Sequence, residues 1–444
     1  MNVAKPLERR RRLPKATVHP ASLSLLRGHA NCREGHETTG EVWIETRCHF
    51  IWIFLSLAAT MVAGASERIW GTTVVASDPR VMLRRIRDLT GSRPDLAARY
   101  EAAKATIRHF RKPAFYEVTQ RCNLKCEGCY YFESERVPID EQQAVAEWER
   151  FFATEAQRQV SMAYFVGAEP ALHQERLLAA AGHFVHGNVG TNGTIRIDPA
   201  IPFRISISMW AGDDETDRTL RGASAFRKAF RNYRGDRRAI VYYTLSHWNL
   251  DGARIIAEMC RDNGLPLTFN LYSPTATYLS KLAEHQPNDD EFFRVSRPDD
   301  TPMLSDADLG RAERIVLELM EDFPETVLYS RAYNRWSTRP GPLHALDAQG
   351  TAPLCGSRIT SLMHYYGADL VRKNIKCCTP DLDCSQCRIM SGGWSTKLAP
   401  DANDLASADA FSDWLEMLEA LKRIFVYEHS ATTAATKEAA TALH

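Results

Sequence analysis

The sequence predicts an α/β fold, a partial (β/α)6 TIM-like barrel followed by a small cysteine-rich domain. Three observations carry that expectation. Strand-like and helix-like segments alternate between residues 113 and 285. The alternation covers roughly 160 residues and six units, short of the eight that close a full barrel. Eight of the 11 cysteines fall into two groups, one directly after the first strand and one after the barrel. The natural architecture is a three-quarter barrel, open on one side, with its ligands at the carboxyl ends of the strands.

Composition narrows the possible functions. The chain has 444 residues, with 55 Lys+Arg against 55 Asp+Glu. A zero net charge gives no global basic field, so nucleic-acid binding is not expected. A hydrophobic share of 44% with 25% charged residues excludes a mainly disordered chain, a collagen-like repeat and a polytopic membrane protein. A chain of this length buries an adequate core without disulfide staples. Clustered cysteines therefore point to metal or redox chemistry.

Residues 1–77 read as an N-terminal extension with the basic run Arg9-Arg10-Arg11-Arg12. Within it, Cys48–Ser66 is free of Asp, Glu, Lys and Arg. Three readings compete for this stretch: a membrane anchor, a buried apolar segment, or part of a non-native extension if translation begins at Met61. Basic residues flank both ends and give no clear orientation. The apolar run starts too late for a cleaved signal peptide. An inside N-terminus would also place the cysteine-rich body outside, so a cytoplasmic protein without membrane attachment is expected.

Residues 78–112 form a basic helical lead-in, with Val81, Leu83, Ile86 and Leu89, then Leu96, Tyr100, Ala103 and Ile107, at helical spacing. The barrel, 113–285, holds strands at 114–119, 160–166, 187–191, 203–209, 239–245 and 266–272. Helices are expected at 139–153, 172–185, 217–234 and 249–263. The connection from Asn192 to Pro202 is too short for a long helix. Residues 286–345 comprise a polar linker or lid (286–305) and a helix over 306–322 with Ser305 as N-cap. Residues 346–396 hold the second cysteine group. A closing amphipathic helix, 407–428, and a frayed tail from Ser430 complete the 397–444 region.

The first group, Cys122, Cys126 and Cys129, has C-x3-C-x2-C spacing on one loop. Three thiolates hold three irons of a 4Fe–4S cubane and leave the fourth iron open to a ligand. A zinc site completed by a ligand from elsewhere is the competing assignment.

This loop resembles the signature of the radical S-adenosylmethionine (SAM) enzymes, and further matches follow in strand order over residues 114–275. Gly167-Ala168-Glu169-Pro170 resembles the family's GGEP segment, which meets the methionine amino group of SAM; Glu169 is then an acceptor for that ammonium. Thr191-Asn192-Gly193 is similar to the TNG turn. Ser206-Ile207-Ser208-Met209-Trp210 resembles the strand that contacts ribose and carboxylate, with Trp210 where Asp is common. Arg221-Gly222 resembles an Arg that pairs with the SAM carboxylate. Tyr130 is the aromatic residue next to Cys129, where the family often carries one just before the third cysteine; here that position is Gly128. The resemblance implies reductive cleavage of SAM to a 5′-deoxyadenosyl radical that abstracts hydrogen from a C–H bond. It also implies an electron donor such as flavodoxin or ferredoxin, and a peptide or small-metabolite substrate that the residues do not identify.

The second group supplies Cys355, Cys377, Cys378, Cys384 and Cys387. It resembles the twitch or SPASM modules that carry auxiliary clusters after the barrel. Five thiols suffice for one further 4Fe–4S cluster, held by Cys355, one of Cys377/Cys378, Cys384 and Cys387. The spare thiol is a buried small hydrophobe or a hydrogen-atom donor. A four-cysteine zinc ribbon is the alternative, and with it a zinc-stabilised barrel acting as a non-catalytic scaffold. Cys260 lies on an apolar helix face and is expected in the core.

Overall fold

The computed structural model describes residues 78–428, apart from Glu135 and Asp289. The apolar run 48–66 and the C-terminal tail lie outside the described residues. Among the described residues no helix is long and apolar enough to cross a membrane.

The lead-in is two helices, α1 (Pro79–Ser92) and α2 (Pro94–Arg108). Each opens on a proline at its first turn, where a missing N–H costs nothing. The strands follow as β1 (Pro113–Glu117), β2 (Met162–Val166), β3 (Gly187–Thr191), β4 (Arg204–Met209), β5 (Ala239–Leu245) and β6 (Leu267–Leu271). The helices between them are α3 (Val145–Gln157), α4 (Gln174–Ala181), α5 (Asp214–Arg221), α6 (Phe226–Tyr233) and α7 (Ala253–Asp262). Then come α8 (Ala276–Ala283), α9 (Asp306–Asp322) and α10 (Arg331–Thr338). A short β7 (His364–Tyr366), α11 (Met390–Thr396) and α12 (Ala408–Phe425) complete the order.

The sheet is a single parallel array in the order β6-β5-β4-β3-β2-β1-β7, open between its two edges. The six barrel strands fall where the alternation predicts them. The seventh comes from the cysteine-rich segment, which joins the barrel sheet beside β1. The expected helix 217–234 is broken in two at Gly222, whose φ of 74° caps α5. The expected start of α3 at 139 shifts to Val145: residues 137–144 take no regular secondary structure, Gln142 N–H donates to Ala368 O at 2.8 Å, and Ala144 is extended.

Alternation along the strands sets two faces. Ile205, Ile207 and Met209 of β4 are fully buried against the helices, while Ser206 and Ser208 face the lumen and remain partly exposed. The amino end of the lumen is plugged by α12: the Phe425 ring packs edge-on against Phe110, Tyr164 and Tyr242. Arg204 at the foot of β4 donates to the carbonyls of Arg423 and Val426, holding the plug in place. The plug leaves the carboxyl ends of the strands as the mouth.

Candidate active site

Residues 118–133 leave the carboxyl end of β1 and carry Cys122, Cys126 and Cys129, all half-buried and unpaired. The loop is fixed at its start by a buried ion pair. Arg176 donates to Glu141 at 2.7 Å and to Val118 O at 2.6 Å. Glu141 in turn accepts from Gln120 N–H at 2.7 Å and Thr119 Oγ at 2.8 Å.

The turn after β2 locks onto this loop. Ala168 N–H donates to Thr119 O at 3.0 Å and Glu169 N–H to Arg121 O at 2.9 Å. Gly167 has φ 124°, and a Cβ there would stand 2.5 Å from Thr119 O, so only glycine fits. Ala168 has no positive φ. The alanine that departs from GGEP therefore occupies the position that does not need glycine.

Glu169 has no exposed surface. Its carboxylate accepts from Thr191 Oγ at 2.7 Å, Asn192 N–H at 2.7 Å and Ala171 N–H at 3.0 Å. Burial raises its pKa, and the three donors pull the other way. In this conformation the carboxylate faces the protein and fastens the TNG turn to the GAEP turn. Pro170 starts the short helical turn that follows.

Asn192 closes the ring of contacts. Its Nδ2 donates to Asn123 Oδ1 at 2.7 Å and reaches Cys122 Sγ at 3.8 Å, while Leu124 N–H donates to the same sulfur at 3.3 Å. Arg221, 1% exposed, donates to Ser208 O at 3.1 Å and Asn192 O at 3.4 Å, and its guanidinium lies beside the Cys126 thiol. The Ser208 hydroxyl accepts from the Trp210 indole at 3.3 Å. Thus Gly167, Ala168, Glu169, Asn192 and Arg221 assemble against the cysteine loop, with Ser208 behind Arg221.

Burial pushes the Cys122 thiol up to about 11 and Cys129 to about 12, and raises Cys126 as well. Buried thiols of this kind stay protonated until a metal supplies the compensating charge. The Leu124 N–H and the Asn192 amide, both directed at Cys122 Sγ, would stabilise a thiolate there.

The second group is also brought together: Cys355, Cys377, Cys378, Cys384 and Cys387 all line one cavity. Cys377 Sγ donates to Thr379 O at 3.1 Å, and Cys378 Sγ lies 3.5 Å from Ser391 Oγ. Burial raises Cys355 to about 11 and Cys387 to about 12. Among the described residues no three His, Cys, Asp or Glu side chains converge as ligands of a single metal ion. Five thiols around one hollow, and three on one loop, suit a polynuclear cluster in donor chemistry.

Tyr130 lies within electrostatic range of thiols from both groups, Cys129 and Cys122 of the first and Cys378 of the second. Tyr130 keeps 42% of its surface free, and desolvation raises its pKa. Cys260 is fully buried on α7, as its apolar neighbours predict.

Sequence reasoning missed Glu117, whose buried carboxylate at the end of β1 accepts from Tyr131, from Tyr365 at 3.2 Å and from Arg136 at 3.4 Å. It also missed Glu127, fully buried between Cys126 and Cys129. A carboxylate inside a two-residue gap between thiols was the available signal.

No family model matches this sequence, and no curated protein matches it. Solved structures do. The chain is similar to SuiB from Streptococcus suis bound to S-adenosylmethionine, at 12% identity and TM-score 0.41, over 74% of this chain and 75% of that one. It is similar to anSMEcpe with bound AdoMet at 15% identity and TM-score 0.41, over 64% and 80%. A third similarity is to HydG, a maturase of the FeFe-hydrogenase, at 10% identity and TM-score 0.33, over 63% and 65%. Likeness at this level carries no weight for activity, and the case for activity rests on the site's own residues.

Proposed function

We propose that this chain is a radical SAM enzyme with one catalytic and one auxiliary 4Fe–4S cluster, acting on a peptide or small metabolite. The observation that carries the reading is the cysteine loop at the carboxyl end of β1, hydrogen-bonded to the turns after β2 and β3. Cys122, Cys126 and Cys129 would hold the catalytic cluster; Cys355, Cys384, Cys387 and one of Cys377/Cys378 would hold the auxiliary one. When bound and reduced, the catalytic cluster supplies the electron that cleaves the SAM sulfonium bond and so starts C–H hydrogen abstraction.

The chain's own part is placement. The backbone of Gly167 to Glu169 borders the loop and offers carbonyls to an ammonium, while the buried Glu169 side chain holds that backbone still. Arg221 brings a buried cation beside Cys126, where a carboxylate ligand is favoured. Tyr130 offers an aromatic face at the mouth. The Phe425 plug and the aromatic wall of Phe115, Tyr164 and Tyr365 exclude water from the lumen below.

The test is anaerobic reconstitution, metal analysis, then reduction with SAM and assay for 5′-deoxyadenosine. The expected result is a brown protein with about eight irons and time-dependent product. Cys126→Ala abolishes the product. A colourless protein carrying only zinc, or intact clusters with no product, overturns the reading.

A further inference from the structure

We propose that Glu127 is a positioning residue for the catalytic cluster, acting through a strap of residues 290–297 laid across the cysteine loop. The inference rests on the reading that Cys126 and Cys129 are cluster ligands.

The segment 286–305 reads as a linker or lid from sequence, yet it is docked on the metal-binding loop. Glu127 has no exposed surface. One carboxylate oxygen accepts from Ser296 Oγ at 2.6 Å, Ser296 N–H at 3.0 Å and Val295 N–H at 3.3 Å; the other accepts from Arg294 N–H at 2.8 Å. Three successive backbone amides thus form a nest for one carboxylate, a geometry built for an anion. Tyr278 Oη supports the nest by donating to Ser296 Oγ at 2.7 Å.

The same strap grips the loop on both sides of Glu127. Gly128 N–H donates to Phe292 O at 2.8 Å, and the Phe292 ring stacks on Phe132 at 4.3 Å. Arg294 donates to Lys125 O, and to Thr219 O of α5 at 2.9 Å. Glu127 N–H donates to Leu220 O at 2.7 Å. At Gly128, φ is 57° and a Cβ would overlap the Tyr272 hydroxyl, so the chain between the two thiols follows one path. Cys126 and Cys129 flank this clamp directly. Their separation is therefore set by Glu127 and the strap, since the loop itself has no regular secondary structure.

The experiment compares reconstituted wild-type protein with Glu127→Gln and Ser296→Ala. Iron release to a chelator is followed while the electron paramagnetic resonance of the reduced protein, with and without SAM, separates the two clusters. Glu127→Gln turns one acceptor oxygen into an N–H donor facing the nest, so release from the catalytic cluster is expected to be roughly tenfold faster or more. Its SAM-dependent signal shifts or broadens, and the auxiliary cluster keeps its wild-type release rate. Ser296→Ala, which removes one of the four donors, gives a smaller acceleration in the same cluster; it decides the matter if Glu127→Gln does not fold. Wild-type release rates and spectra in both variants overturn the positioning role, as does equal acceleration in both clusters. Wild-type protein that binds no iron at the Cys122 loop refutes the functional reading instead.

Discussion

Glu169→Ala tests the central claim about the site, that one buried carboxylate joins the turns after β2 and β3. The substitution strands two backbone donors, the N–H groups of Ala171 and Asn192, and one hydroxyl, Thr191 Oγ. All three lie in buried residues, and the substitution removes four heavy atoms and both acceptor oxygens from among them. The Thr191 hydroxyl also accepts from Gly193 N–H at 3.1 Å, so its rotation is restrained and re-pairing is limited. Each stranded amide costs about 1–3 kcal/mol, which gives about 3–5 kcal/mol for the site. Total domain stabilities are about 5–15 kcal/mol, so the loss is a large share. The assay is urea unfolding of the metal-free protein at neutral pH, read by tryptophan fluorescence and circular dichroism. Glu169→Gln keeps one acceptor oxygen and is expected to lose about half as much. An unfolding midpoint for Glu169→Ala within about 1 kcal/mol of wild type refutes the argument, because surface substitutions of no consequence fall in that range.

Two further outcomes follow from the geometry. Gly167→Ala forces a Cβ to 2.5 Å from a backbone oxygen at φ 124° and is expected to cost about 3 kcal/mol or more, whereas Ala168→Gly, which restores the family pattern, changes thermal stability by about 1 kcal/mol or less; equal effects of the two would contradict the assignment of the glycine requirement. At the barrel foot, burial lowers the pKa of His109 from 6.5 to about 4, helped by His186, whose ring meets it edge-on at 4.4 Å, and by Lys422, with Glu428 opposing. The unfolded chain takes up this proton near pH 6.5 and the fold refuses it until about 4. Stability is therefore complete above 6.5 and declines as pH falls through that window, by about 1–2 kcal/mol for a ring only half-buried and partly screened by solvent. The difference in urea midpoint between wild type and His109→Gln across pH 4–7 reads this contribution, and a difference that does not vary with pH would exclude it.

Local signals made much of the fold legible. The six barrel strands lie within two residues of their expected bounds at either end. The helix Asp306–Asp322 starts and stops where expected, because Ser305 and Asp308 form a reciprocal capping box. Gly167–Pro170 follow β2 directly and Thr191–Gly193 run off the end of β3, and so both border the loop after β1, whereas Arg221 reaches it from the end of α5. What the sequence hid is long-range. β7 is three residues long, carries no turn signal of its own, and exists because it pairs with a strand some 250 positions earlier. The break at Gly222 follows from its contact with Lys125, where a Cβ would stand 3.1 Å from the carbonyl, and helical periodicity runs straight through it. Glu127 is marked in sequence only by its place between two thiols; the strap whose amides hydrogen-bond it lies about 170 residues further along the chain.

β7 also explains how two cysteine groups, far apart in sequence, are tied to adjacent strands. Ala114 pairs with His364 and Tyr116 with Tyr366, and on the lumen side the Phe115 ring stacks against Tyr365. β1 continues directly into the Cys122 loop. β7 lies between Cys355 and Cys377, and the chain returns from it through the Tyr366–Arg372 and Arg358–Cys377 bridges. Both groups therefore hang from the same pair of hydrogen-bonded strands, one from each strand. Sheet pairing holds together the points from which the two groups depart. That economy accounts for a strand of only three residues being kept within a segment otherwise devoted to thiols and turns.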